Sequence, residues 1–252
     1  MSDELPQLTD EERATYEWQM WLPGFGETAQ RKLKGSTVFI SRVGGVGGQV
    51  AYQLAAAGVG RLILAMAGIV RPPDLNRQLL QTHDRVGQPR LPTIAKRLRE
   101  LNPRLEVTCI EENAADANAE RLIKGADVVV DAAPTFQERL ALNRAAVVQR
   151  RPMVECAMFA FDAQVTTFVP GQTGCLACLV PSVPPEWKRE FPVLGAVAGT
   201  IGCLGAVEVV KLLTGLGEPL AGTLLSMDLL SMQFRRLNAR RDPQCSICSG
   251  SL

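Results

Sequence analysis

Residues 37–41, apolar and β-branched, run directly into Val43-Gly44-Gly45-Val46-Gly47-Gly48 and from there into a helical pattern. This order of strand, glycine turn and helix constrains the fold more than any other stretch. A parallel sheet requires such connections, because the chain must turn at the strand's end and lay a helix back along the sheet. The alternation continues, with strands predicted at 61–65, 106–110, 128–131 and 152–156 and helices at 50–57, 94–101, 119–124 and 137–149. Short strands separated by helices of this length predict an α/β fold with a doubly wound, mostly parallel sheet. Residues 9–34 read as helical, opened by a capping box between Thr9 and Glu12. Beyond about residue 160 the pattern changes: 164–169 and 222–227 read as antiparallel strands around a Gly/Leu-rich helix at 194–213. The expected organisation is a helical segment at 1–34, a Rossmann-like core at 35–160 and a C-terminal extension at 161–252, forming a single domain.

Charge narrows the choice of partners. Lys+Arg 27 against Asp+Glu 26 leaves no basic excess for nucleic acid or an anionic membrane surface. The opening Met-Ser-Asp-Glu-Leu is acidic and polar, so no secretory signal is expected. The apolar stretch at 193–213 is broken by glycines and carries Glu208 and Lys211, which fits a buried helix better than a membrane span.

Seven cysteines include two Cys-x-x-Cys pairs, Cys175/Cys178 and Cys245/Cys248. Each spacing lets two thiolates converge on one ion, and four thiolates make a closed tetrahedral site for structural zinc. The alternative is two reduced thiol pairs without metal. Both readings point to a reduced, cytoplasmic protein. Cys109, Cys156 and Cys203 stand among apolar residues and are expected in the core, and His83 is expected in a loop.

The glycine turn has a functional and a plain reading. Backbone N–H groups at Gly44, Gly45 and Gly47 would cradle a phosphate at the helix N-terminus, whereas a tight connection needed only for packing would use similar residues. The second strand ends Leu64-Ala65-Met66-Ala67-Gly68, without the acid a dinucleotide dehydrogenase uses on the ribose, so an oxidoreductase is not expected. Arg77 and Gln78 follow Asp74 in a loop, where they read as phosphate contacts or as the start of a helix capped by Asp74.

In order along the chain, these segments resemble the ThiF/MoeB/HesA family, bacterial relatives of ubiquitin-activating enzymes. The match covers residues 14–250 and includes Leu22-Pro23-Gly24-Phe25-Gly26, Gly44-Gly45-Val46-Gly47, Leu75-Asn76-Arg77-Gln78-Leu79-Leu80, Val86-Gly87-Gln88-Pro89, Leu101-Asn102-Pro103 and both cysteine pairs. The resemblance implies ATP and Mg2+ as cofactors. It also implies adenylation of the C-terminal glycine of a ubiquitin-like or sulfur-carrier protein by a homodimer. Carried over position by position, it places the ribose acid at Met66, a second acid at Gly68 and the magnesium aspartate at Pro134, three residues after Asp131. The phosphate lysine falls at Arg90 and the loop asparagine at Asp74, while Arg77 and Gln78 are kept. The arginines lent across the dimer fall at Thr15 and Trp18, leaving Tyr16 and Gln19 of that motif.

Losing one such charge-stabilising group costs about 2.7–4 kcal/mol at the transition state. The expectation is therefore a degenerate, zinc-bound scaffold that holds a ubiquitin-like or sulfur-carrier protein, or a peptide tail, without adenylating it. The alternatives are an active adenylyltransferase whose remodelled site uses Arg42, Arg77, Arg90, Asp74 and Asp131, or a different enzyme on the same fold. Arg77, Arg90 and Asp131 are the candidate catalytic residues, and Gly44, Gly45, Gly47, Arg77 and Gln78 the candidate nucleotide contacts.

Overall fold

The computed structural model describes residues 5–186 and 188–250. Its centre is one eight-stranded sheet: β1 Thr37–Ser41, β2 Arg61–Ala65, β3 Glu106–Ile110, β4 Val128–Asp131, β5 Met153–Phe159, β6 Asp162–Phe168, β7 Thr223–Asp228 and β8 Gln233–Asn238. The spatial order is β3-β2-β1-β4-β5-β6-β7-β8. The first five strands pair in parallel and the last three antiparallel. The central strands read as continuous apolar runs because helices cover both their faces: all four residues of β4 are buried, as are the last four of β1.

The helices, with two 3-10 turns at Pro72–Asp74 and His83–Arg85, fill the connections. They are α1 Asp10–Thr15, α2 Glu17–Met20, α3 Gly26–Gly35, α4 Gly45–Ala57, α5 Arg90–Leu101, α6 Ala119–Leu122, α7 Phe136–Val148, α8 Leu176–Leu179 and α9 Gly195–Thr214. Leu33, Leu54, Ile94, Leu98 and Ile201 form the core on one face of the sheet. Phe39, Leu122, Ile123 and Leu142 form the core on the other, together with three of the paired cysteines. The apolar helix α9 runs along α4 and across β5 inside the first core.

Several expectations need correction. The predicted helix at 9–34 is three short helices, broken at Tyr16 and over residues 21–25; its first four-residue capping box is present, Thr9 Oγ1 accepting from the Glu12 N–H. Helix α4 begins at Gly45 rather than residue 50. Glycine is a poor helix former, but a Cβ at Gly47 would stand 2.7 Å from the Arg42 carbonyl oxygen and one at Gly45 3.2 Å from Ala198 Cβ. The first turn therefore exchanges propensity for close approach. Strand β8 was not anticipated, because all six of its residues are exposed and carry no apolar alternation. Cys109 is exposed on edge strand β3 and Cys203 is half-buried; only Cys156 of that trio lies in the core. His83 is exposed on its 3-10 turn.

Candidate functional site

In an open parallel sheet, ligands sit beyond the strand ends where the strand order reverses, here between β1 and β4. A cleft of about 420 Å3 opens at that point. Gly44, Gly45 and Val46 of the glycine turn border it, with Ala132, Ala133 and Pro134 after β4 and Met66 after β2. The expected phosphate turn and the position assigned to a magnesium acid therefore face one cavity. Gly47 lies behind the turn, against the backbone of residues 41 and 42.

Six arginines line the cleft: Arg42, Arg71, Arg77, Arg90, Arg139 and Arg189. Arg42 adopts a left-handed backbone (φ 53°), held by its N–H donating to the Ala65 carbonyl at 2.8 Å. Its guanidinium makes two parallel 2.6 Å hydrogen bonds to Glu138 on α7. Asp74 is a buried hub: it accepts from the Arg71 N–H at 2.9 Å, Gln78 Nε2 at 2.9 Å and Arg90 at 2.7 Å, with Arg77 3.5 Å away. Asp74 thus fixes the loop that carries Arg77 and Gln78, a role beyond the cap expected of it. Arg90 reaches this hub across Gly68, where a Cβ would lie 3.2 Å from its Nη1.

Asp131 does not face the cleft as a free acid. It is fully buried, accepting from Arg139 at 3.1 Å and from the Ala133 N–H at 3.0 Å. Arg139 also donates to Glu155 at 2.8 Å and to the Cys156 carbonyl at 3.1 Å. Sequence reading missed this triad, although an Arg on α7 between acids on adjacent strands was visible as residue types. Burial pushes the Asp131 carboxyl above its ordinary range and Glu155 up to about 7, with Arg139 opposing both shifts.

The residues do not fit magnesium. Mg2+ takes oxygen ligands, usually one or two carboxylates plus substrate phosphates. Met66, Gly68 and Pro134 offer no carboxylate, and those of Asp74, Glu138, Asp131 and Glu155 are bound to guanidinium groups. Glu190, exposed at the rim, remains among the lining acids. The two residues left from the N-terminal arginine motif are structural here: Tyr16 is buried with its hydroxyl 3.4 Å from Asn102, and Gln19 donates to Gln30 and to the Ala57 carbonyl. Arg13 is held by Glu27 and Asp10.

On the opposite face of the sheet the four paired cysteines converge. Their sulfurs lie within 4.8 Å of one another, with Cys175–Cys245 at 3.7 Å and Cys178–Cys248 at 3.5 Å. A tetrahedron of thiolates at Zn–S distances of about 2.3 Å has edges of about 3.8 Å, so the cluster could hold a metal ion of this kind. Asn143 of α7 accepts from the Leu176 N–H at 2.9 Å and fixes the start of α8, which carries the first pair.

Comparison with known proteins agrees with this architecture. The ThiF family model matches residues 16–247. A "Protein HesA" from Leptolyngbya boryana is 47% identical, over 96% of this chain and 87% of that protein. A "Sulfur carrier protein adenylyltransferase" from Thermus thermophilus is 39% identical, over 95% of this chain and 92% of that protein. The E. coli protein MccB, solved with ATP, superposes with a TM-score of 0.80 at 26% identity, covering 88% of this chain and 70% of that one.

Proposed function

The chain belongs to the ThiF family, and from that premise we propose that it is a partner-binding member that has given up metal-assisted adenylation. Its relatives support an adenylyltransferase-type protein that acts with a protein partner. In this reading the tail of a ubiquitin-like or sulfur-carrier protein, or a peptide, lies in the arginine-lined cleft with its carboxylate among the guanidinium groups. The observation that carries the reading is the state of the acids. Pro134 stands at the cleft where a metal-binding aspartate is expected, and Asp131 is locked under Arg139. A carboxylate shared with a buried guanidinium is not free to coordinate a cation or to hold one against a phosphate.

Zinc in the thiolate cluster would supply a rigid cross-link and no reacting position, since four cysteines close the coordination shell. The reading takes the protein to be a cytoplasmic homodimer. Two reduced Cys-x-x-Cys pairs support the compartment, and exposed Trp18 and Trp21, with ring centroids 6.4 Å apart, support a covered patch.

The test uses zinc-loaded protein, Mg-ATP and a carrier protein ending in Gly-Gly. The carrier should bind, and pyrophosphate exchange should stay at background. A second reading, adenylation by a remodelled site, is favoured by the likeness to the sulfur carrier adenylyltransferase. Carrier-dependent exchange well above background would establish it and overturn the first.

A further inference from the structure

The cleft holds more cationic groups than its acids can neutralise. Glu138 is taken by Arg42, Asp74 is shared by Arg90 and Arg77, and Arg139 is committed to its own two acids. Glu190, exposed at the rim, forms no ion pair among the described residues, which leaves one lining acid against two unpaired arginines. Arg71 and Arg189 have no acid partner among the described residues. Arg189 reaches the cleft from the segment between α8 and α9. Desolvation, then the charge of Arg42, and more weakly those of Arg90 and Arg71, hold its pKa below the usual value, with Glu138 opposing. Like charges gathered this way cost free energy unless an anion sits among them.

A second observation points into the same space. Arg90 is 5% exposed and borders the cleft, yet its Nε has no hydrogen-bond partner among the described residues. A buried cationic donor left unpaired is expensive, and a bound oxyanion is the group that would satisfy it. Beside it, Gly44 and Gly45 bring the first turn of α4 to the cleft, where N–H groups lack partners within the helix.

We infer that these arginines replace the divalent cation, so that the cleft recognises a nucleoside triphosphate as the metal-free tetra-anion. The inference rests on the reading that metal-assisted chemistry has been given up. Arg71, Arg90 and Arg189 would spread over the phosphate oxygens and the glycine turn would hold one phosphate. Magnesium already bound to the triphosphate would compete with the guanidinium groups for the same oxygens, and would weaken binding.

The experiment is calorimetric titration of the zinc-loaded full chain with sodium ATP in magnesium-free buffer without chelator and again with excess magnesium, with inorganic tripolyphosphate as a second ligand. ATP should bind in the magnesium-free buffer, more tightly than with magnesium, and binding should weaken as salt rises. Tripolyphosphate should bind as well, because the phosphates carry the recognition. Arg71→Ala and Arg189→Ala, whose side chains lie outside the core, should each weaken ATP about ten-fold, the loss of a charge-assisted contact. Circular dichroism on both variants checks that the fold is retained. Binding as tight or tighter with magnesium, no binding in either condition, or indifference to both folded variants would overturn the inference. Pyrophosphate exchange on the same samples reports on the partner-binding reading separately: metal-free ATP binding with carrier-dependent exchange would sink that reading and leave this inference standing.

Discussion

Arg139 sits between Asp131 and Glu155, and neither acid can be read without it. One guanidinium serves two buried carboxylates, so one of them gains by keeping its proton. Glu155 shows this, its pKa rising from 4.5 to about 7, with Arg139, Asp131, Cys156 and Gln164 as its charged and polar neighbours. Between those values the folded chain binds the extra proton and the unfolded chain does not, so stability should fall as pH rises through this window. Glu155→Gln should flatten that slope in urea titrations run between about pH 5 and 7. An unchanged slope would show that another group titrates there. Removing the cation leaves two uncompensated buried acids, and Arg139→Met should cost about 3–5 kcal/mol in the same titrations. The triad was not legible in the sequence, where Asp131 looked like an acid poised beside a ligand. Pairing depends on which side chains of β4, β5 and α7 point together, and that is set by packing.

Helix α9 gives the element scale a direct test, because its glycines face different surroundings. A Cβ at Gly205 would lie 2.5 Å from Cys156 Sγ on β5, and one at Gly202 would lie 2.7 Å from the Val46 carbonyl oxygen on α4. At Gly199 a Cβ meets nothing within 4 Å. Gly205→Ala should therefore destabilise by about 1–3 kcal/mol through overpacking. Gly199→Ala should stabilise by up to about 1 kcal/mol through helix propensity alone. Equal effects on the denaturation midpoint would refute the close packing of α9 on the sheet. The same helix is long and apolar enough to cross a membrane, with a mean hydropathy of 1.7, yet it packs between α4 and β5. Its apolar character is that of a core helix. Strands β1, β2 and β4 were legible residue for residue, because burial on both faces leaves an uninterrupted apolar run, whereas β5 continues to Phe159, past the expected end at 156. Strand β8 was not, since hydrogen bonding to β7 alone holds it and no apolar pattern records that.

Across the whole molecule the cysteine cluster joins segments 70 residues apart in sequence. Helix α8 supplies one pair and the C-terminal tail the other, and the tail lies close enough that a Cβ at Gly174 would stand 2.9 Å from Arg241 Cα. Arg241 also donates to the Cys248 carbonyl. A cross-link closing a loop of this length is worth about 4 kcal/mol in the chain-entropy account. Chelation should then lower Tm by on the order of 10 °C for a chain of this size. Cys248→Ser should give the same fall and lose the metal by elemental analysis. Full metal content in the folded variant would show that the four thiolates are not its ligands.

Sequence alone determined the doubly wound sheet, the place of the glycine turn and the pairing of the cysteines into one candidate metal site. Each of these rests on local periodicity or fixed spacing, which a linear chain states openly. Its resemblance to the family set Met66, Gly68 and Pro134 at positions where acids are expected. Only the tertiary structure decided what became of the acids that remain. Asp74, Glu138, Asp131 and Glu155 are each held by an arginine and Glu190 stands exposed at the rim, while Arg71 and Arg189 are left over at the cleft. Counted along the sequence, the charges balance almost to zero; folded, they do not balance at this site, because burial and direction determine which charges meet.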